Sequence, residues 1–358
     1  NPLPVYNFAD VIVTGDGETT LPRLLDILQK NSCKKNKCLD QLHELPGVHI
    51  PQFNECCQHD DQNIPLCRNL DDSELYSVFL TPETEFSEAC LVEIGRGCPF
   101  NCSFCYIGNN RGPFRKRSLS SIKKLITRNM DRTSRFGLVS SAVTSHPDLD
   151  ELCEWAMKEN LEVSFSSLRA DQITPAILNL LVKCGRKTLT LAPETGSDIF
   201  RKRIGKNMSN SLILESAKTA FEEGFVNLKL YFIIGLPDQV DDELYAIADL
   251  VESAREIMLD IGRKRGRVGQ VICAVSFFVP KPGTPFSGKT MPSAGKLKKM
   301  QRRLRSRIQS IPNAVFIPAN PHEATAQMVL SNGGTETGEW LVRKVKERLS
   351  WKAALKLL

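Results

Sequence analysis

The sequence predicts an α/β protein whose centre is a partial, six-stranded parallel (β/α) barrel. From residue 91 onward, short apolar and β-branched runs alternate with stretches of helical apolar spacing, the pattern of parallel strands joined by helical crossovers. Strands are expected at 91–94, 137–143, 162–165, 188–192, 227–234 and 270–279, with helices near 120–129, 148–158, 174–183, 211–223 and 241–261. Six strands with five intervening helices fit an open barrel rather than a closed one. Ahead of the barrel, Asp10-Val-Ile-Val-Thr-Gly15-Asp-Gly17, followed by helical spacing to Leu28, reads as strand, turn and helix.

Composition narrows the class. With 41% hydrophobic and 25% charged residues and no apolar run near the roughly 20 residues that cross a bilayer, the chain reads as a cytoplasmic protein without membrane span or signal peptide. The net charge of +6 permits an anionic substrate or a nucleic acid and requires neither. Twelve cysteines would suggest disulfides in a secreted protein, whereas in the cytosol most are expected to be free.

Three of these cysteines carry the chemistry. Cys98, Cys102 and Cys105 lie in Glu93-Ile-Gly-Arg-Gly-Cys98-Pro-Phe-Asn-Cys102-Ser-Phe-Cys105-Tyr106, in a loop directly after the first strand. Soft thiolates suit an iron-sulfur centre, and three of them can hold three irons of a four-iron, four-sulfur (4Fe-4S) cluster while the fourth iron stays open to a small molecule. An electron carrier normally has a fourth protein thiolate. The other readings are a zinc knuckle, which needs a fourth Cys or His nearby, and buried free thiols. No His lies between Cys105 and His146, and Cys90, the nearest further thiol, reads as part of the first strand.

The spacing of three residues, then two, with Phe104 before the last cysteine resembles the signature of the radical S-adenosylmethionine (radical SAM) superfamily. The resemblance implies an open six-stranded barrel with its chemistry at the C-terminal strand ends, a 4Fe-4S cluster on Cys98, Cys102 and Cys105, and S-adenosylmethionine across the strand ends. It places the backbone of Tyr106 and Ile107 by the adenine. After the second strand the family's Gly-Gly-Glu-like motif is replaced by Ser140-Ser141-Ala-Val-Thr144-Ser145-His146; Ser140 is a cofactor-contact candidate or a strand cap. After the third strand, the resemblance turns Ser166 and Arg169 toward cofactor or substrate. Arg169 can pair with a carboxylate of cofactor or substrate, or with Asp171.

At the fourth strand end, Pro193-Glu194-Thr195-Gly196 resembles methylthiotransferase-like and elongator-type radical SAM proteins, which makes Glu194 a cofactor contact; the alternative is an acid at a helix start. Gly235, in Ile233-Ile234-Gly235-Leu236-Pro237, resembles the adenine site. Lys229 and Tyr231 alternate with apolar residues and either face the barrel interior and substrate or lie at a solvated edge.

The flanks resemble the family less. Residues 1–88 read as the end of a Rossmann-like, cobalamin-binding-type domain plus a Cys-rich connector, 89–290 as the radical SAM barrel and 291–358 as a small α-helical extension. The cobalamin-ligating motif Asp-x-His-x-x-Gly is absent from all five histidine contexts, as it would be in an N-terminally truncated chain. Cys33, Cys38, Cys56, Cys57 and Cys67 fit no metal motif. The run 296–307 is a basic amphipathic helix that either docks on the barrel with a wet face or offers that face to RNA.

The expected function is therefore reductive cleavage of S-adenosylmethionine to a 5′-deoxyadenosyl radical, with methyl or methylthio transfer to an unknown substrate and an electron donor such as flavodoxin or ferredoxin. The alternatives are an iron-sulfur electron carrier and an RNA-binding protein with a structural cluster.

Overall fold

A computed structural model describes residues 1–32, 34–53, 64–165 and 168–358. The expected strands form: β1 (Cys90–Glu93), β2 (Arg135–Val139), β3 (Glu162–Phe165), β4 (Thr188–Glu194), β5 (Asn227–Ile234) and β6 (Val271–Phe277). All pair in parallel and in chain order, as β1-β2-β3 and β4-β5-β6, and among the described residues a parallel bridge from Leu168 to Leu191 links the two groups. A seventh strand, β7 (Ala314–Ile317), adds in parallel to β6. It was missed because four half-exposed residues on a sheet edge carry almost no periodicity.

The crossovers are α1 (Leu119–Thr127), α2 (Leu149–Lys158), α3 (Pro175–Lys183), α4 (Asn210–Glu223), α5 (Asp241–Lys264) and α6 (Ala294–Gln309). Their starts follow local chemistry: the hydroxyls of Ser118, Thr174, Ser209 and Ser293 accept backbone N–H groups of the first turn, and Pro175 occupies a position where its missing N–H costs nothing. Burial on β5 alternates strictly. Leu228, Leu230, Phe232 and Ile234 are fully buried, which leaves Lys229, Tyr231 and Ile233 on the opposite face, and the Lys229 ammonium stands 4.8 Å from the Tyr231 ring centre.

Two compact units divide the chain, residues 1–73 with 322–358, and residues 74–321. These limits differ from 88/89 and 290/291. The segment before β1 joins the barrel unit because Tyr76 bridges antiparallel to Val92, and α6 stays with it because β7 continues the barrel sheet. In the other unit, the strand Ile12–Val13 pairs antiparallel with Val48–His49 and precedes the helix Gly17–Lys30. The stretch read as connector contains a helix, Lys35–Leu42, whose Cys38, Leu39 and Leu42 pack with Val48 and Ile50. Three C-terminal helices follow at Pro321–Asn332, Glu336–Lys346 and Trp351–Ala354. No helix among the described residues is long and apolar enough to cross a membrane.

Candidate cluster and cofactor site

The cysteine loop leaves the C-terminal end of β1 and is closed at its neck by antiparallel pairing of Gly95–Arg96 with Arg115–Lys116. Within it, the helix Tyr106–Asn110 lies against the Cys98–Cys102 stretch so closely that a Cβ on Gly108 would collide with the Phe100 carbonyl. Asn109 ties the loop together, its Nδ2 donating to the carbonyls of Cys102 (3.1 Å) and Cys105 (2.7 Å). Phe104 packs with Phe200, Ile204, Leu236 and Phe278 beyond the ends of β4, β5 and β6. Two backbone bonds complete the anchoring, from Ser103 N–H to Ile204 O (2.9 Å) and from Phe286 N–H to Ser103 O (3.2 Å). The aromatic residue of the motif therefore pins the loop to the barrel rim.

All nine described cysteines are free thiols; Cys102 is 8% exposed and Cys98 and Cys105 are half-buried. Burial pushes the Cys98 thiol up and the Cys102 thiol up to about 11. Lys206 and Arg169 pull both down, and Cys105 pushes both up, so Cys98 and Cys102 each lie in the field of Cys105 and of the same two cations. Such thiols need a bound metal or a base to lose their protons. The donor set fits a 4Fe-4S cluster: three soft sulfurs on one pinned loop, with two nearby cations to offset thiolate charge. Among the described residues no three Cys, His, Asp or Glu groups converge on one point as they would for a single ion, and thiolates that each bind a different iron need not do so. Cys90 is buried at the N-terminal end of β1, the far end of the strand from the loop.

A charged frame surrounds the loop. Arg169 stacks 3.6 Å from the Phe100 ring centre and forms a two-pronged pair with Asp171 (3.0 and 2.8 Å), so the intramolecular partner weighed in the sequence is made while the guanidinium stays beside the cysteines. Glu194 pairs with Lys206 at 2.7 Å, the two side chains only 14% and 7% exposed. A bulge in β4, where Leu191 to Glu194 spans what Leu230 to Phe232 spans on β5, turns Glu194 to φ +68°. A left-handed non-glycine residue at a bulge is a re-aimed side chain, and this one shares the field of Cys102.

Arg201 is the organiser that the sequence did not single out. Fully buried, it donates to the carbonyls of Pro193, Thr195 and Met208, to Asp198 and to Asn210, at 2.7–3.1 Å. Those bonds hold both sides of Glu194. The available signal was its place seven residues after Glu194, in the short helix Asp198–Arg203. Arg201→Ala would orphan three buried carbonyls and is expected to cost about 3–5 kcal/mol. Equilibrium denaturation checks this, and a loss below about 1 kcal/mol would contradict it.

The other expected contacts fall as follows. Ser140 is 9% exposed at the end of β2, where its hydroxyl accepts from Ala142 N–H (3.3 Å), a local cap beside Gly95. Tyr106 and Ile107 open the helix of the cysteine loop. Gly235 follows β5 with φ +82°, and its N–H donates to Gln239 Oε1 (2.7 Å); a Cβ there would stand 2.6 Å from Leu297 Cδ2, so the close approach it allows is to α6. Ser166, Cys33, Cys56 and Cys57 lie outside the described residues.

Comparison with known proteins agrees with this geometry. Residues 92–251, from β1 into α5, match the family described as the Radical SAM superfamily, and residues 1–51 match that of Radical SAM proteins, N-terminal. Residues 92–251 are a radical SAM superfamily domain. Curated relatives of this chain include an uncharacterized protein of Methanocaldococcus jannaschii, 26% identical over 85% of this chain and 63% of the relative. An uncharacterized methyltransferase of Pyrococcus horikoshii is 25% identical over 70% of this chain and 54% of its own length. The ribosomal protein uS12 methylthiotransferase RimO of Thermotoga maritima is 24% identical over 47% of this chain and 42% of its own. The chain thus spans less than two thirds of the length of each of these relatives. The cofactors that go with the superfamily are a 4Fe-4S cluster and S-adenosylmethionine.

Proposed function

We propose that this chain is the catalytic core of a cytoplasmic radical SAM enzyme that holds a 4Fe-4S cluster on Cys98, Cys102 and Cys105. The observation that carries the reading is the single loop, pinned by Phe104 and Asn109, that presents three thiols at the strand ends, two of them in the field of the third. Held by these three thiolates and reduced by a flavodoxin- or ferredoxin-type donor, the cluster would supply one electron to the sulfonium of S-adenosylmethionine, the chemistry by which a carbon–sulfur bond would be cleaved to methionine and a 5′-deoxyadenosyl radical able to take a hydrogen atom from substrate.

The chain's own residues position and shield. Arg169 and Lys206 offset the thiolate charge, and Glu194, on its bulge, sets an acid where a cationic sulfonium is attracted. The backbone of Tyr106 and Ile107 is the adenine contact in this reading, together with Gly235. Ser140 and Ser166 contribute hydroxyls to the cofactor. Lys229 and Tyr231, on the inner face of β5, meet the substrate. Methyl or methylthio transfer is the outcome that the names of the curated relatives favour. No histidine of this chain stands in an Asp-x-His-x-x-Gly motif, so these residues themselves supply no cobalamin ligand of that type, and cobalamin is left as a possible but unsupported cofactor.

The test is anaerobic reconstitution with iron and sulfide, reduction with dithionite, and chromatography for 5′-deoxyadenosine after S-adenosylmethionine is added. Release of 5′-deoxyadenosine is expected. A loaded cluster that neither binds nor cleaves S-adenosylmethionine would instead make the protein an electron carrier or give the cluster a structural role.

A further inference from the structure

α6 buries one side only. Leu297, Met300, Leu304 and Ile308, at three- and four-residue spacing, are 0–8% exposed. Arg303 and Arg307, on one flank, reach acids of α5: Arg303 meets Asp241 at 2.5 Å, and Arg307 lies 3.8 Å from Asp249 and 3.9 Å from Glu252. With 3.6 residues per turn, Lys298, Lys299, Arg302 and Arg305 point away from the buried stripe. All four are exposed, and no carboxylate among the described residues lies within 4.0 Å of any of them. They cover about 10 Å along the helix axis. The contact between Gly235 and Leu297 sets the first turn of α6 at the C-terminal end of β5, so the stripe starts at the barrel mouth.

Three physical points decide what such a stripe fits. Its outward positions, Lys298, Lys299, Arg302, Arg305, Ser306 and Gln309, include no apolar or aromatic side chain, whereas the core of a protein interface is enriched in them. The apolar stripe of α6 is already buried, so the helix has no face to insert among lipids. Cations without a competing carboxylate are free to replace the counterions of a polyanion.

We infer that Lys298, Lys299, Arg302 and Arg305 form a docking stripe for the phosphodiester backbone of a nucleic acid, leading to the mouth of the barrel. The stripe acts without the cluster, so its test is independent of the proposed reaction. Fluorescence anisotropy of the full chain with a labelled oligouridylate is measured over a salt series. Four phosphate contacts on a single strand give a slope of log K against log salt of about −3, or roughly 50-fold weaker binding at 200 mM than at 50 mM.

Replacing all four residues by Ala is expected to abolish salt-dependent binding. The charge-keeping exchange of Lys for Arg and Arg for Lys should retain the slope, and Arg303→Ala with Arg307→Ala should leave it unchanged. Equal binding of oligothymidylate assigns the contact to the backbone alone, and tighter RNA binding adds the 2′-hydroxyl; both support the stripe. Absence of binding at 50 mM salt, a quadruple variant with the parental slope, or competition by poly-glutamate as strong as by RNA would overturn the inference, the last by assigning the face to an acidic protein.

Discussion

Cys102→Ala is expected to reduce both iron loading and 5′-deoxyadenosine formation to the level of a protein-free control. Cys102 is the most buried of the three motif thiols, and its carbonyl rather than its sulfur holds Asn109, so the loop keeps its internal bonds when the thiol is removed. The substitution therefore separates ligation from folding. A thermal melt should move by no more than about 1 kcal/mol equivalent, while iron and sulfide per chain and product yield collapse together. Cys98→Ala and Cys105→Ala should behave alike, because a cluster with two protein ligands has lost its third anchor. Cys90→Ala should load normally, since that thiol lies at the opposite end of β1. A Cys102→Ala protein that loads iron and releases 5′-deoxyadenosine at the parental rate would remove the ligand assignment.

The second large effect concerns the pair at the fourth strand end, where two substitutions should act in opposite directions. Burial is the main reason the Cys102 thiol titrates at about 11; Lys206 lowers that value and Glu194 raises it. Metal binding competes with protons for the thiolate, so loading improves as pH rises through the range in which thiols ionise. Lys206→Met removes a lowering influence, and its loading curve should move to higher pH. Glu194→Gln removes a raising influence, and its curve should move to lower pH.

Stability reports the pair separately. Lys206→Met leaves a mostly buried carboxylate without its cation, 2.7 Å away in the parent, and should cost about 3 kcal/mol, of which Lys206→Met combined with Glu194→Gln should recover a part. Iron content across a pH series, beside denaturation of the single and double variants, makes the check. Loading curves that shift the same way in both single variants would show that electrostatics at Cys102 is not the cause.

Much of the fold lies within short stretches of chain. The limits 162–165 and 227–234 coincide with β3 and β5, and the helices expected at 148–158 and 174–183 form within one residue of their ends, because alternating burial and first-turn hydroxyls act over a few neighbours. Cys98, Cys102 and Cys105 are legible for the same reason, since their spacing alone brings three soft ligands into one loop. The partnership of Arg169 with Asp171 is also local, two residues apart.

What lay beyond local reading was set by contacts between distant segments. The helix Lys35–Leu42 reads as connector in the sequence because its polar residues outnumber the three that reach a core. The bulge that turns Glu194 exists only through its register against β5, and Lys206 meets Glu194 after a helix and a turn have brought the chain back. Arg201 reads as one more surface cation until its five partners surround it, and Gly235 answers to Leu297, sixty-two residues later. Alternation, capping and cysteine spacing are free-energy preferences of neighbouring residues, and they determined the barrel strands, their order and the cluster loop. Desolvation and ion pairing depend on which segments meet, so only the tertiary structure decided which charges frame Cys102 and which arginines of α6 are taken up by acids of α5.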